Sequence, residues 1–141
     1  MTPCCKKIWQ TMFKRIDHVE ILPSNFDRSL VFYQDILDFR LISKTAVQAE
    51  PLKEIAFLKL DGTVIELLHM KNPAPIPTPI TVGYRAIALE VESMEAATTY
   101  LSDRGVAVTW GPVDMGVSIR AEITDPDGLA IELREWKQKT W

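Results

Sequence analysis

The sequence has two cysteines, no long apolar run and little excess charge, and each deficiency excludes a class of protein. Cys4 and Cys5 are adjacent, which is not the C-x-x-C spacing of redox or zinc motifs, so we interpret them as reduced thiols. No apolar run approaches the ~20 residues that a membrane-spanning helix needs. A formal net charge of −3 gives no indication of a nucleic-acid partner or an anionic membrane.

Motifs of several enzyme classes are also missing. The chain has no Gly-rich phosphate loop, no G-x-S-x-G elbow and no basic-aromatic stripe for nucleic acid. Residues 1–14 are too interrupted for a signal peptide and lack a small-residue cleavage site, so we interpret them as an extension that could form a short packing helix. The expected location is the cytoplasm. The apolar content of 47% and the length of 141 residues fit one globular domain or two small units sharing a core.

A repeated motif is the most informative feature that is present. The pattern D-G-x-x-I-E-L occurs at residues 61–67 and again at residues 127–133. A self-match at this distance indicates a duplicated unit about half the chain long. The repeat places two carboxylates, Glu66 and Glu132, at equivalent points of the two halves. A buried carboxylate is costly unless it is paired, hydrogen-bonded or bound to a cation, so this pair indicates a site.

Apolar periodicity and turn signals predict the order strand, helix, strand, strand, strand in each half. The first half is predicted to have its helix from Phe26 to about residue 37, a loop at 47–53, and strands at 15–22, 39–46, 54–60 and 63–70. The second is predicted to have its helix from Met94 to Arg104, and strands at 84–91, 106–110, 117–124 and 129–136. The predicted organisation is an extension (1–14), a first module (15–70), a Pro-rich linker (71–81), a second module (82–137) and a tail (138–141).

The helix starts locate a second pair of equivalent positions. Phe26 follows His18 by the same distance at which Met94 follows Ala86, so His18 and Ala86 match. If both halves curl around one cavity, His18, Glu66 and Glu132 can converge there, whereas Ala86 contributes no ligand. One imidazole and two carboxylates can hold a fairly hard divalent metal and leave positions open for substrate. The alternative is that each is an ordinary hydrogen-bonding or solvent-facing residue.

Further residues have two possible interpretations each. Glu20 shares the strand face of His18 and could act as an acid or base, or be an exposed charge. Arg120 could contact an anionic substrate group or pair with a nearby Glu. Trp110, Phe57 and Tyr84 could line a cavity or pack in the core. His69 is expected on the opposite strand face from Glu66, as a surface or sheet-rim residue.

This order of elements resembles the vicinal oxygen chelate superfamily, also called the glyoxalase/bleomycin-resistance/dioxygenase family, over residues 15–136. The resemblance rests on several segments of the sequence: Ile16-Asp17-His18-Val19, Asp27–Tyr33, Ile65-Glu66-Leu67-Leu68, Tyr84–Val91 and Asp125-Pro126-Asp127-Gly128 with Ile131-Glu132-Leu133. It implies an α+β fold of two tandem βαβββ modules that form half-open barrels around a central cavity. Metal-dependent members usually place ligands at the positions of His18, Ala86, Glu66 and Glu132.

The departure from the family pattern is Ala86, where metal-dependent members commonly have His. Ring-cleaving dioxygenases and thiol transferases rely on that His, so the resemblance favours glyoxalase-like lyases and epimerases. The leading hypothesis is a metal-dependent lyase or isomerase that acts on a small oxygenated substrate through an enediolate-type intermediate. The metal ligands would be His18, Glu66 and Glu132, the catalytic groups Glu132, Glu66 and Glu20, and the substrate contacts Arg120, Trp110 and Phe57.

The identity of the divalent ion stays open among Ni, Zn, Mn, Co and Fe, and Ala86 leaves open that no metal binds. The alternative hypothesis is therefore a metal-free protein that sequesters a hydrophobic or aromatic ligand, as in bleomycin resistance. A small molecule is the expected partner, with no nucleic acid and no membrane. A homodimer is expected because half-open barrels leave sheet surface to cover, and the cavity could lie within one chain or between two.

Overall fold

The computed structural model describes residues 12–77 and 81–141, and in these ranges the two βαβββ modules predicted from the sequence are confirmed. Cys4, Cys5 and most of the expected N-terminal extension lie outside the described residues. The first module consists of β1 (Val19–Ile21), α1 (Phe26–Val31) with a π-helical turn (Phe32–Ile36), β2 (Arg40–Ala49), β3 (Leu52–Leu60) and β4 (Thr63–Met70). The second consists of β5 (Ala86–Glu90), α2 (Met94–Asp103), β6 (Trp110–Asp114), β7 (Ser118–Thr124) and β8 (Ala130–Trp136).

Local sequence explains where the helices begin and end. The side chain of Asn25 accepts a hydrogen bond from the backbone N–H of Arg28, and that of Ser93 accepts one from Ala96, so each helix begins at an N-cap. At the end of α2, Gly105 adopts a φ of +74°, a left-handed conformation that glycine takes without penalty. The predicted helix starts and the end of α2 are therefore confirmed.

Each module folds into a four-stranded sheet, with the order β1-β4-β3-β2 in one and β5-β8-β7-β6 in the other. In the first sheet Glu20 lies beside Glu66, and in the second Ala88 lies beside Glu132. Two residues earlier, these parallel registers put His18 and Ala86 at equivalent places. The equivalence expected from the helix starts is therefore confirmed by strand pairing.

The core lies on one face of each sheet, under the helices. Buried side chains from both modules form one cluster, with members such as Tyr33, Leu58, Leu67, Ile123 and Ile131. Tyrosines from both helices cross between the modules. The hydroxyl of Tyr33 donates to Asp125 (3.0 Å), and the hydroxyl of Tyr100 donates to the carbonyl oxygen of Ile36 (2.9 Å). The helix sides of the modules therefore meet, and the opposite sheet faces are left for a site.

Three strand boundaries differ from the sequence-based expectation. β1 has three residues rather than the eight of 15–22, and its register would place Ile16 opposite Gly62, before β4 begins. The loop expected at 47–53 is mostly strand, since Pro51 lies in the turn between β2 and β3 and is not needed as a donor in the ladder. The strand expected at 106–110 instead spans Trp110–Asp114, because Pro112 is tolerated at a bulge in an edge strand.

None of the helices in the described part of the chain is long and apolar enough to cross a membrane.

Candidate metal centre

The site begins with a contact between His18 and Glu66. His18 directly precedes β1, and Glu66 lies in the middle of β4, the neighbouring strand. The His18 Nε2 atom lies 3.1 Å from the Glu66 Oε2 atom. Glu66 is only 7% exposed, which is unusual for a carboxylate. The structure therefore brings together two of the three predicted ligands, His18 and Glu66.

Glu20 is the third member of this cluster. Its Oε1 atom lies 3.7 Å from the His18 Nε2 atom, and ligand atoms from His18, Glu20 and Glu66 all lie within 4.8 Å of one another. Two ligands at right angles, each about 2.1 Å from an ion, are about 3 Å apart, and a wider angle separates them further. The spacing and chemistry of these donors therefore fit one divalent cation.

Asp17 orients the imidazole ring of His18. The His18 Nδ1 atom lies 2.8 Å from the Asp17 Oδ2 atom, an arrangement that leaves Nε2 to face the two glutamates. The edge of the Phe57 ring packs against the same imidazole, with ring centroids 5.5 Å apart. Asp17 is a site residue that the sequence reasoning did not assign, although a carboxylate adjacent to a candidate ligand His was the available signal.

The electrostatics of the cluster favour a positive charge. The hydrogen bond that His18 donates to the Asp17 carboxylate raises the pKa of His18, and the nearby charge of Glu66 raises it further. Burial raises the pKa of Glu66, and the neighbouring Glu20 carboxylate adds to this, while His18 opposes it. The crowding of carboxylates around one imidazole contributes to both shifts, in addition to the burial of Glu66.

Glu132 lies elsewhere, on β8 of the second sheet, and it is not a member of the His18 cluster. It forms ion pairs with two arginines, Arg120 and Arg134, the latter at 2.8 Å. Arg120 also pairs with Glu122 at 2.5 Å, and Arg85 pairs with the same carboxylate. Within one chain, Glu132 therefore belongs to a network of alternating charges. Sequence reasoning identified Glu132 and Arg120 but missed Arg134, which shares the strand face of Glu132 at i+2.

The three aromatic candidates have different environments. Phe57 is half-buried beside His18. Trp110 is 42% exposed, and the Arg120 guanidinium carbon lies 5.0 Å from the centroid of the Trp110 ring. Tyr84 is fully exposed before β5, so core packing was the wrong interpretation for Trp110 and Tyr84. Arg120 pairs with Glu122 and Glu132, which agrees with the second of its two interpretations, pairing with a nearby Glu.

His69 lies on the helix side of the first sheet, as strand parity predicted. Its ring stacks on Phe26 of α1, with centroids 4.9 Å apart, and its Nδ1 atom lies 3.5 Å from Glu54. It is half-buried and is separated from the His18 cluster by the thickness of the sheet.

A cavity of about 370 Å³ borders the second sheet. Its lining includes Glu132 and Arg134, together with Leu89 and the indole rings of Trp136 and Trp141. These two rings contact each other edge to face, with centroids 4.7 Å apart. The cavity therefore combines an aromatic wall with a charged floor.

Comparisons with known proteins agree with this architecture. The sequence model of the Glyoxalase/Bleomycin resistance protein/Dioxygenase superfamily matches residues 15–133. The chain is 34% identical over 125 residues to the uncharacterized protein YaeR of Escherichia coli, which covers 86% of this chain and 96% of that protein. It is 32% identical over 128 residues to a probable lactoylglutathione lyase of Synechocystis sp., covering 86% and 95% respectively.

A solved structure matches over a similar range. The glyoxalase family protein from Enterococcus faecalis superposes with a TM-score of 0.76 at 28% identity, covering 89% of this chain and all of that one (100%). The match includes both modules, so the shared feature is the paired architecture as well as the individual βαβββ unit.

Proposed function

This chain belongs to the glyoxalase/bleomycin resistance protein/dioxygenase superfamily, and we propose that it is a metal-dependent lyase or isomerase. Its substrate would be a small molecule with two neighbouring oxygens, converted through an enediolate-type intermediate. The observation that carries the proposal is the 3.1 Å approach of His18 Nε2 to the buried carboxylate of Glu66, with Glu20 in the same cluster.

His18 and Glu66 would hold the ion, and Asp17 would keep the imidazole oriented for this role. A divalent ion at this place supplies Lewis-acid stabilisation of negative charge on neighbouring substrate oxygens. Ni, Zn, Mn, Co and Fe are the candidates, and the carboxylates favour the harder ions among them. Phe57 would shield the imidazole side of the site from water.

A carboxylate would move the proton between neighbouring substrate carbons. Glu66 is buried beside His18, so its carboxylate would meet the substrate away from bulk water. The side chain of Glu20 is 60% exposed and close to His18, so it can exchange protons with solvent. Either glutamate is therefore suited to the transfer.

Glu132, Arg120 and Trp110 would take part from the second sheet. The site-bearing face of each sheet is directed away from the helices, so the second sheet of another copy could cover the His18 cluster. We therefore propose a homodimer in which Glu132 acts as a ligand or a base and Arg120 contacts the substrate. In this role Arg120 would exchange one of its glutamate partners for an anionic substrate group.

Metal loading and lactoylglutathione lyase assays test this proposal. The protein is stripped of ions and reloaded separately with Ni, Co, Mn, Fe or Zn, and lactoylglutathione formation is then measured. We expect activity with at least one ion, and a loss of at least ~100-fold in kcat/KM for His18→Ala, because the ion's charge stabilisation is worth several kcal/mol. His69→Ala is the matched control, since His69 lies on the other sheet face, and it should retain activity. Failure to take up any of the five ions would contradict the proposal.

A metal-free binding protein for an aromatic ligand is the second candidate. It is favoured by Ala86 and by the tryptophan-lined cavity beside the second sheet. Quenching of tryptophan fluorescence by an anilinonaphthalene sulfonate dye measures this binding. Equal affinity in the parent and in His18→Ala supports this candidate, whereas a large loss in the variant excludes it.

A further inference from the structure

Glu20 and Glu66 are direct neighbours on parallel strands. Glu20 of β1 is the register partner of Glu66 in β4, and both side chains approach the same His18 nitrogen. Like charges that lie opposite each other in a sheet destabilise it. The cost is greater here because Glu66 is buried. A cation between or beside the two carboxylates would offset this repulsion.

The protein itself supplies little of that charge. In the part of the chain that the structure describes, the cationic partner of Glu20 and Glu66 within 4.0 Å is His18, and neither glutamate pairs with a lysine or arginine. At the equivalent place in the second module, Glu132 lies beside Ala88 and pairs with Arg120 and Arg134. The first module thus has an extra carboxylate and no guanidinium groups where the second has two.

Position 86 adds a further difference. The side chain of an alanine has no donor atom, so the start of β5 contributes no ligand. Glu20 supplies an oxygen within 4.8 Å of the other two donors, from the same module and sheet face as His18. The three donors His18, Glu20 and Glu66 would fill part of a coordination shell and leave the remaining positions to water or substrate.

We infer that Glu20 is a metal ligand in this chain, and that His18, Glu20 and Glu66 hold the ion within the first module without Glu132. The inference rests on the metal dependence of the proposed function and specifies which residues bind the ion. Two carboxylates and a neutral imidazole balance a divalent charge, and the oxygen-rich set selects a hard ion such as Mn²⁺. Glu132 is then a group facing the substrate, already neutralised by its arginines.

Binding of Mn²⁺, followed by the electron paramagnetic resonance signal of the free ion, tests the inference. The full chain and three variants, Glu20→Gln, Glu66→Gln and Glu132→Gln, are titrated at one pH. We expect Glu20→Gln and Glu66→Gln to weaken binding by at least the ~10- to 100-fold that loss of an outer-shell partner causes. We expect Glu132→Gln to bind Mn²⁺ within ~3-fold of the parent, because no protein–metal bond is lost.

Each outcome has a distinct meaning. If Glu20→Gln binds Mn²⁺ as tightly as the parent, or if Glu132→Gln loses binding, the inference is overturned while the proposed function stands. If the parent binds no Mn²⁺, Ni, Co, Fe or Zn, both fail. Paramagnetic broadening of side-chain carboxylate carbon signals in the unmodified parent provides a second test that needs no variant. The signals of Glu20 and Glu66 should disappear on adding Mn²⁺, and persistence of the Glu20 signal would overturn the inference.

Discussion

The two sheets have the same strand order but opposite charge balance on their site-bearing faces. On the first face, two glutamates and a histidine are clustered, and among the described residues neither glutamate forms an ion pair with an arginine. On the second, Glu122 and Glu132 alternate with arginines, which neutralise them. The repeated motif therefore placed a carboxylate at the same point twice, and the residues around it determine whether that carboxylate is available to a cation.

The comparison shows that equivalent backbone positions do not imply equivalent chemistry. Glu66 and Glu132 occupy matching places in β4 and β8, yet the strand beside Glu66 carries Glu20 and the strand beside Glu132 carries Ala88. Changing one neighbour alters the charge that the carboxylate experiences. The first face is suited to bind a positive ion, whereas the second is suited to contact a polar or anionic group by exchanging partners.

The largest effect on folding is expected at the bulge in β6, the edge strand of the second sheet. Gly111 has a φ of +78°, and an added Cβ atom would lie 2.7 Å from the backbone oxygen of Arg120. Gly111→Ala combines backbone strain with a steric clash and should destabilise the fold by about 3 kcal/mol. Gly128→Ala is the control, because Gly128 has a φ of +84° and open space around its Cα, so about 1 kcal/mol is expected. Equal losses of unfolding free energy for Gly111→Ala and Gly128→Ala, measured by urea unfolding, would show that the clash at Gly111 is relieved at no cost.

A smaller effect is expected from the tyrosines that join the modules. Tyr33 donates to Asp125, which is 4% exposed and also accepts from the backbone N–H groups of Asp127 and Leu129. Tyr33→Phe leaves a buried carboxylate with one donor fewer and should cost about 2 kcal/mol at neutral pH. Tyr100→Phe removes a hydrogen bond to a neutral backbone carbonyl and should cost about 1 kcal/mol.

The pH dependence distinguishes these two contacts. Burial raises the pKa of Asp125 above its ordinary value of 3.8, so between the unfolded-state and folded-state pKa values the native state binds more protons, and stability falls as pH rises through this range. The Tyr33 hydroxyl lowers the pKa of Asp125. The Tyr33→Phe substitution should therefore raise this pKa further and extend upward the pH range in which the native state binds the extra proton. The loss in Tyr33→Phe should therefore grow as pH rises through the raised pKa of Asp125, whereas that in Tyr100→Phe should stay constant. Urea unfolding at several pH values measures the loss of unfolding free energy in both variants. The same pH dependence in both would show that the Tyr33 hydroxyl does not affect the titration of Asp125.

The smallest effect tests the charge comparison directly, in the metal-free protein. Glu132→Gln removes the carboxylate shared by Arg120 and Arg134 and should destabilise the fold by about 1 kcal/mol. Glu66→Gln removes one of two neighbouring like charges and should stabilise it by about 0.5 kcal/mol. The two substitutions are chemically identical and occupy matching positions, so opposite signs in urea unfolding would isolate the effect of the surroundings. The same sign for both would refute the contrast between the sheets.

The sequence predicted the paired modules and the matching of His18 with Ala86, because both follow from local repeats and from the spacing to the helix starts. It misplaced β6, since Gly111-Pro112 looks like the end of a strand unless the bulge at the sheet edge is known. It left open whether Glu132 meets His18 within one chain or between two chains, because a repeat reveals which positions match but not which sheet faces meet. That relation is set by contacts between the helix sides, such as Tyr33 with Asp125, which join residues far apart in sequence.

β1 is three residues long and has β4 as its one neighbour in the sheet, yet it and the residue before it carry two of the three proposed ligands. An ion bound between these side chains and Glu66 would fasten the outermost strand to the sheet through side chains as well as backbone. Ion occupancy and attachment of this strand would then be linked equilibria, each strengthening the other. Detachment of β1 from β4 would therefore set how fast the ion enters and leaves. Saturating concentrations of ion would increase the protection of β1 against hydrogen exchange.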